Sequence, residues 1–283
     1  MLTIMAVAAA GAQRAEELVQ QGATEIGYVN FERARGFFRK AVAVADEGSP
    51  VWQQAVFGQA VCAQHISPPT KASIDEAVSL YKMLLEKTPD SPLAARTMMN
   101  LGRIAELRDY GGDTPDLEAA REWYIRVRDR FTNEPIAGEA TLRIAATYIQ
   151  TYEPEQVRKG VEILHAWLAD HPKDELASAM WQYLADTYFY PLRDYRRSVE
   201  CYEKADAIGW TDVANKGPIY WRVANLADRF LNDRATAIKY YTKIIRETPN
   251  SGKAYESQLA LRRLGVPEEQ IPRITILKQE EQR

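Results

Sequence analysis

The chain is poor in the residues that most often carry chemistry. Its 283 residues include two cysteines, Cys62 and Cys201, and three histidines, His65, His165 and His171. Two cysteines far apart in helical text make no disulfide framework, and both read as small buried apolar residues. Cys62 and His65 lie three apart and would share a helix face. A two-ligand pair without matching Cys or His elsewhere does not complete a metal site. GxxxxGK, GxGxxG after a strand, HExxH and GxSxG are all missing. The loop at 111–116 offers Asp113 and Asp116, but not the ligand spacing of a calcium loop, and reads as a turn and helix cap. No run approaches the 18 apolar residues of a membrane span. Charge of one sign is not in excess: 36 basic and 39 acidic residues leave a net charge of -3. That excludes the strongly basic face of a typical nucleic-acid binder. No catalytic, cofactor-binding or metal-binding residue is therefore assigned, no cofactor is expected, and the chain does not read as an enzyme.

What is present is helical periodicity rich in aromatics, with 15 Tyr and 6 Trp. The clearest stretch is Trp181 to Ala205, WQYLADTYFYPLRDYRRSVECYEKA. It carries Trp181, Leu184, Ala185 and Tyr188 on one helix, then Ser198, Tyr202 and Ala205 on a second. Alternation of large and small residues lets two helices approach closely. A triple like the second one recurs along the chain: Ala34/Phe38/Ala41, Ala77/Tyr81/Leu84, Ala120/Tyr124/Val127, Gly160/Leu164/Trp167, Ser198/Tyr202/Ala205 and Ala237/Tyr241/Ile244. Successive first members lie 43, 43, 40, 38 and 39 residues apart. Regular spacing of this kind is the signature of a helical-hairpin solenoid.

Pro89, Pro172 and Pro249 each fall 12 residues after the first member of their triple. Proline cannot continue a helix without losing a donor and clashing. The flanking text repeats as KTPDSPLA, DHPKDELA and ETPNSGKA, which makes Ser91, Asp174 and Ser251 candidate N-caps of the following helices. The first helices carry large-small pairs, Phe57-Gly58, Leu101-Gly102, Ile144-Ala145, Leu184-Ala185 and Leu226-Ala227. The helix before Ala34 fits least well and is expected within 14–22.

The pattern resembles the tetratricopeptide repeat, Trp-x2-Leu-Gly-x2-Tyr followed by Ala-x3-Phe/Tyr-x2-Ala. A period near 40 exceeds the usual 34, and the excess is expected inside hairpins at 65–75, 108–118 and 151–160. The longer period also admits a HEAT or armadillo reading, against which stands the small-residue pattern. The resemblance implies an all-α fold, a right-handed superhelical solenoid of about six hairpins with a C-terminal capping helix from Lys253 to Leu264. The repeat domain is expected over 13–265, with a tail at 266–283 in which Ile271, Ile274 and Ile276 would dock.

Residues 1–12 combine an apolar run with Ala10-Gly11-Ala12, like the end of a secretory signal. No Lys or Arg precedes Arg14, so the same text also suits the apolar start of a first helix. The expected location is periplasmic or secreted, otherwise cytoplasmic. The Pro-x-Ser/Asp junctions resemble those of envelope tetratricopeptide proteins of the outer-membrane-assembly and Tol-Pal type.

The resemblance implies that first helices line an inner face for a protein or peptide partner, and not for nucleic acid. Carried onto this chain, the inward positions are Trp52 and Gln59, then Arg96, Met99, Arg103 and Glu106, then Gln182, Asp186 and Phe189, and finally Trp221 and Asp228. They are mixed in charge and partly aromatic. They lack the Lys/Asn/Asn/Lys/Arg set with which some members of the family hold chaperone tails. The expected function is a non-catalytic protein-binding scaffold. The alternative is an accessory or regulatory subunit of a cytoplasmic enzyme or secretion complex.

Overall fold

The structure is a computed structural model that describes residues 2–211 and 216–275, with backbone alone for 2–10. Among the described residues it contains thirteen α-helices and no strand. In chain order they are α1 (Leu2–Gly27), α2 (Phe31–Val44), α3 (Pro50–His65), α4 (Lys71–Lys87), α5 (Ala94–Glu106), α6 (Leu117–Arg130) and α7 (Pro135–Ile149). They continue as α8 (Pro154–Asp170), α9 (Ala177–Phe189), α10 (Tyr195–Ile208), α11 (Lys216–Arg229), α12 (Arg234–Glu247) and α13 (Lys253–Arg263). Taken in pairs they form six hairpins, followed by the thirteenth helix. The helical-repeat architecture expected from the spacing is thus the one observed. The chain divides into two compact units, Met1–Thr147 and Tyr148–Arg283.

In the first unit, α1 packs on α2, α2 on α3, α3 on α4, α4 on α5 and α5 on α6, and α1 also meets α3. The contacts are local in sequence, as a repeat architecture requires. Phe38, Tyr81 and Tyr124 are the buried rings of the three hairpins, each no more than 3 % exposed. Phe38 and Tyr124 press on first helices where those helices lack a side chain. A Cβ on Gly58 would lie 2.5 Å from the Phe38 ring, one on Gly22 would lie 2.7 Å from it, and one on Gly102 would lie 2.5 Å from Tyr124. Gly22 therefore plays in α1 the part that the large-small pairs play in later first helices. Ala15, Leu18 and Gly22 are the buried face of α1, with spacings of three and four that mark one side of a helix.

In the second unit, α8 packs on α9, α9 on α10, α10 on α11, α11 on α12, and α12 on α13. Leu164, Tyr202 and Tyr241 are buried. In the fourth triple the last member differs from expectation. Trp167 is half-buried, and its neighbour Leu168 takes the buried place. The indole Nε1 donates to Asp174 Oδ2 at 2.8 Å and the ring stacks on His171 at 3.8 Å, so Trp167 braces the junction that follows its helix.

The helix ends have two recurrent designs. Before Pro89, Pro172 and Pro249, the C-caps Thr88, His171 and Thr248 share φ near -130° and ψ near +60°. A following proline disfavours the helical region at these positions, so the helix stops there. Ser91, Asp174 and Ser251 do cap, but from two, two and one residues before the helix N-caps Leu93, Leu176 and Gly252. Their side chains accept from Leu93, Leu176 and Lys253 N–H, while the residues at the assigned helix starts make no side-chain cap.

Inside the hairpins, Val29, Tyr152, Arg193 and Asn232 each have φ between 52° and 60°. Each immediately precedes the N-cap of the second helix. Asp194 and Asp233 then cap with their carboxylates, and their own N–H groups return to Tyr188 and Ala227 carbonyls at 2.9 and 2.8 Å. This satisfies donors and acceptors that helix ends leave open. The inserted lengths at 66–70 and 107–116 are loops, as expected. The third expected insertion is not a loop. α8 begins at Pro154, because proline suits the first helical position, where no backbone donor is needed.

At the C-terminal end, α13 lies where expected. Ile271 is buried and Ile274 half-buried, and Gln258 Nε2 donates to the Pro272 carbonyl at 2.8 Å. Ile276 and the rest of the tail lie outside the described residues. At the other end, the described backbone of 2–12 is part of α1.

The wedge interaction is testable at Gly58. Alanine usually gains about 1 kcal/mol over glycine inside a helix. Here the Phe38 ring is in the way, and Gly58→Ala should instead destabilise by about 1–3 kcal/mol. Adding Phe38→Leu should recover part of that loss in a urea-unfolding double-mutant cycle. Simple additivity of the two substitutions would show that the ring and the glycine are not coupled.

Candidate partner-binding site

The buried tyrosines of the second helices do more than fill space. Tyr124 OH donates to Glu106 Oε2 at 2.7 Å, Tyr202 OH to Asp186 Oδ1 at 2.6 Å, and Tyr241 OH to Asp228 Oδ2 at 3.0 Å. Tyr81 OH donates to Gln64 Oε1 at 3.1 Å and accepts from Asn100 Nδ2 at 2.8 Å. Each acceptor sits near the end of the first helix of the same hairpin. Burial pushes all four phenols above their ordinary pKa, so they stay protonated and act as donors.

These ties decide where several sequence-derived candidates lie. In the first unit, Trp52, Gln59, Met99 and Glu106 are buried. Gln59 Nε2 donates to Glu76 Oε1 at 3.1 Å, and Glu106 lies 3.8 Å from the guanidinium of Arg143 as well as against Tyr124. Arg96 and Arg103 are exposed, seven apart on one side of α5.

In the second unit, Asp228 has only 4 % of its side chain exposed and is held by Tyr241 and Arg263. Trp221 is half-buried between the Tyr241 ring, edge-on at 5.7 Å, and Lys253 Nζ at 4.7 Å. Gln182 reaches Ser178 Oγ at 3.4 Å, while Phe189 is half-buried. Asp186 keeps 47 % of its side chain exposed.

Asp186 opens onto a cleft of about 490 Å³ in the second unit. The C-terminal end of α7 contributes Ile149 and Gln150, the following turn contributes Tyr152, and α9 contributes Tyr183, Asp186 and Thr187. Tyr190, Pro191 and Arg193 of the α9–α10 turn close one side. Behind Asp186 stands Arg222 of α11. Its Nη1 donates to Asp186 Oδ1 at 2.5 Å and to Tyr202 OH at 2.6 Å, and its Nη2 donates to Tyr190 OH at 3.2 Å. The guanidinium also lies over the Phe189 and Tyr190 rings at 5.1 and 5.4 Å. The carboxylate is thus oriented by a cation and a phenol, both protonated. That arrangement fixes an acceptor at the wall of the cleft and supplies no nucleophile activated by a base.

Of the residues that line or back this cleft, the sequence candidates include Asp186 and not Tyr152, Tyr183, Tyr190, Arg193 or Arg222. Tyr190 and Arg193 stood inside the marked stretch but outside its repeat register. Arg222 comes from the next hairpin, and only packing brings it 36 residues back in sequence to Asp186. The two cysteines are buried, and burial pushes each thiol up to about 12. They pack as apolar residues and are unreactive at neutral pH. His65 is exposed beside Phe31 at 5.5 Å. Among the described residues no three His, Cys, Asp or Glu side chains gather as metal ligands.

No protein-family model matches the sequence, and no curated protein matches it either. Among solved structures, PilF of Pseudomonas aeruginosa aligns with a TM-score of 0.55 and 20 % identity, covering 89 % of this chain and 99 % of that one. The RpL4 assembly chaperone Acl4 aligns at a TM-score of 0.47 and 14 % identity, covering 89 % and 96 %. The likeness to PilF is one of fold, and the chain has a tetratricopeptide-like helical-repeat fold.

One histidine next to this region sets a pH dependence. His165 accepts or donates at 3.0 Å with Tyr188 OH and packs edge-on against Trp181. Desolvation, then Lys204 and Arg197, lower its pKa from 6.5. A depressed histidine favours the folded state above the unfolded pKa, and that contribution is lost as pH falls through the folded value. The melting temperature should therefore fall as the pH drops below 6.5 toward the depressed folded value. His165→Gln should flatten that part of the profile; an unchanged slope would place the sensitivity elsewhere.

Proposed function

We propose that this protein is a non-catalytic scaffold that binds a protein or peptide segment along its first helices, with the α7–α9 cleft as the principal contact. The observation that carries this is the cleft itself. It is lined by aromatic and aliphatic groups around one oriented carboxylate, which is how sites for side chains are usually built. The repeat fold supports it, because hairpin arrays expose extended surfaces whose side chains can vary without cost to the core. The exposed Arg96 and Arg103 on α5 are a second candidate contact in the first unit.

We place the protein in the bacterial envelope, on the strength of the secretory-like text at 1–12 and the Pro-x-Ser/Asp junctions. An alkaline-phosphatase fusion to the natural chain start checks this by its activity outside the cytoplasm. A fusion retained inside the cell would favour the accessory-subunit role instead.

Binding is tested by replacing Tyr183 or Tyr190, both in the cleft wall, with a photo-crosslinking phenylalanine analogue in the native host. Defined protein adducts are expected from these positions and not from Tyr255, which is 61 % exposed on α13. Equal yields from all three positions, or no adduct at the cleft, would defeat the assignment.

A further inference from the structure

The cleft does not end at Tyr190. Its lining includes Tyr152, 74 % exposed, and Tyr190, 52 % exposed, each at the turn of its hairpin. From Tyr190 a chain of ring contacts leads onward. Phe189 meets Tyr190 at 4.6 Å and Tyr195 at 5.7 Å, and Tyr195 meets Phe230 at 5.0 Å. Phe230, 60 % exposed, lies at the turn of the last hairpin. Tyr190 and Phe230, at two successive hairpin turns, are thus joined through the half-buried rings of Phe189 and Tyr195, and Tyr152 shares the cleft with Tyr190. Exposed aromatics gathered along one edge are costly in water and mark interaction surfaces.

The charges beside the strip are not neutral. Arg193, Arg196 and Arg229 are exposed at the Tyr190–Phe230 end. None of the three forms an ion pair among the described residues. The nearby acids are already engaged. Asp194 and Asp233 cap α10 and α12, Asp186 is held by Arg222 and Tyr202, and Asp228 by Tyr241 and Arg263. Arg196 lies in the first turn of α10, where a cation opposes the helix dipole and does not favour the helix. At the other end of the strip the exposed carboxylate is Glu153. The surface is therefore aromatic throughout and cationic at one end.

We infer that the hairpin-turn edge of the second unit, from Tyr152 through Tyr190 to Phe230, docks an acidic peptide segment whose aromatic or large aliphatic side chains lie on the ring strip and whose carboxylates face Arg193, Arg196 and Arg229. This deepens the scaffold reading and rests on it. An overall net charge of -3 argues against a polyanion such as nucleic acid, for which the whole face would be basic. A peptide needs only the local cationic end.

The probes are a fluorescein-labelled peptide alternating Glu with Phe, its counterpart with Gln in place of Glu, and labelled oligothymidylate. Fluorescence polarisation with the intact chain should rank the Glu peptide first. Arg193→Asn removes the cation while keeping a residue that tolerates the left-handed backbone. It should weaken the Glu peptide roughly fivefold and leave the Gln peptide unchanged. Tyr190→Ala should weaken both peptides, by roughly tenfold. Raised salt should weaken the Glu peptide alone. Circular dichroism melts confirm that each variant is folded. Equal binding of the Glu and Gln peptides, or insensitivity to Arg193→Asn, would overturn the acidic preference while the crosslinking result leaves the scaffold reading standing. Tighter binding of oligothymidylate would replace the peptide with single-stranded nucleic acid.

Discussion

The fold depends on rings entering space that a neighbouring helix leaves empty. Phe38 occupies the places where Gly22 and Gly58 lack side chains, and Tyr124 does the same at Gly102. A ring packed this closely holds two first helices at a short, fixed separation. The burial is large for each residue spent, because an aromatic side chain removes on the order of 150–250 Å² from water. Where the ring is tyrosine, its hydroxyl needs a partner, since an unpaired buried donor would cost about 1–3 kcal/mol. Gln64, Glu106, Asp186 and Asp228 supply that partner. Polar residues at the ends of first helices are thus a consequence of using tyrosine as the wedge.

This consequence links architecture to the exposed surface of the first helices. In the first unit the acceptor Glu106 is buried beneath its neighbours. At Asp228 the same role is filled by a carboxylate covered from the C-terminal side by Arg263. At Asp186 the covering is incomplete. The hairpin before it has Leu164 as its buried residue and no phenol to anchor, and the turn at Tyr152 stands away from the core. A cleft opens there, and a carboxylate that serves the fold also faces that cleft. Arg222 then has two tasks, neutralising Asp186 against Tyr202 and stacking on Phe189 and Tyr190.

The loops and turns follow a second constraint, that backbone donors and acceptors at helix ends must be met. Left-handed residues at 29, 152, 193 and 232 reverse the chain in few residues, and Asp194 and Asp233 close the next helix. These reversals force side chains outward at the tips. That is why Tyr152, Tyr190 and Phe230 are exposed although most other aromatics are buried or half-buried. Their exposure is local in origin, yet ring contacts join Tyr190 to Phe230 and the cleft joins Tyr190 to Tyr152.

The sequence by itself determined the helical-repeat class, the six hairpins, the buried triples and the proline stops. These depend on contacts between residues close in the chain, and their spacing repeats. It did not determine which polar residues of the first helices are exposed. Trp52, Gln59, Met99, Glu106 and Asp228 share the register of Asp186, but phenol ties and neighbouring helices bury them. It also did not place Pro154 at a helix start or Trp167 outside the core. Only the tertiary structure brought Arg222 onto Asp186, linked the Tyr190 and Phe230 turns by ring contacts and set Tyr152 beside Tyr190 in one cleft. Those contacts link different repeats, and a pattern that repeats within each hairpin carries no record of which side chains meet between them.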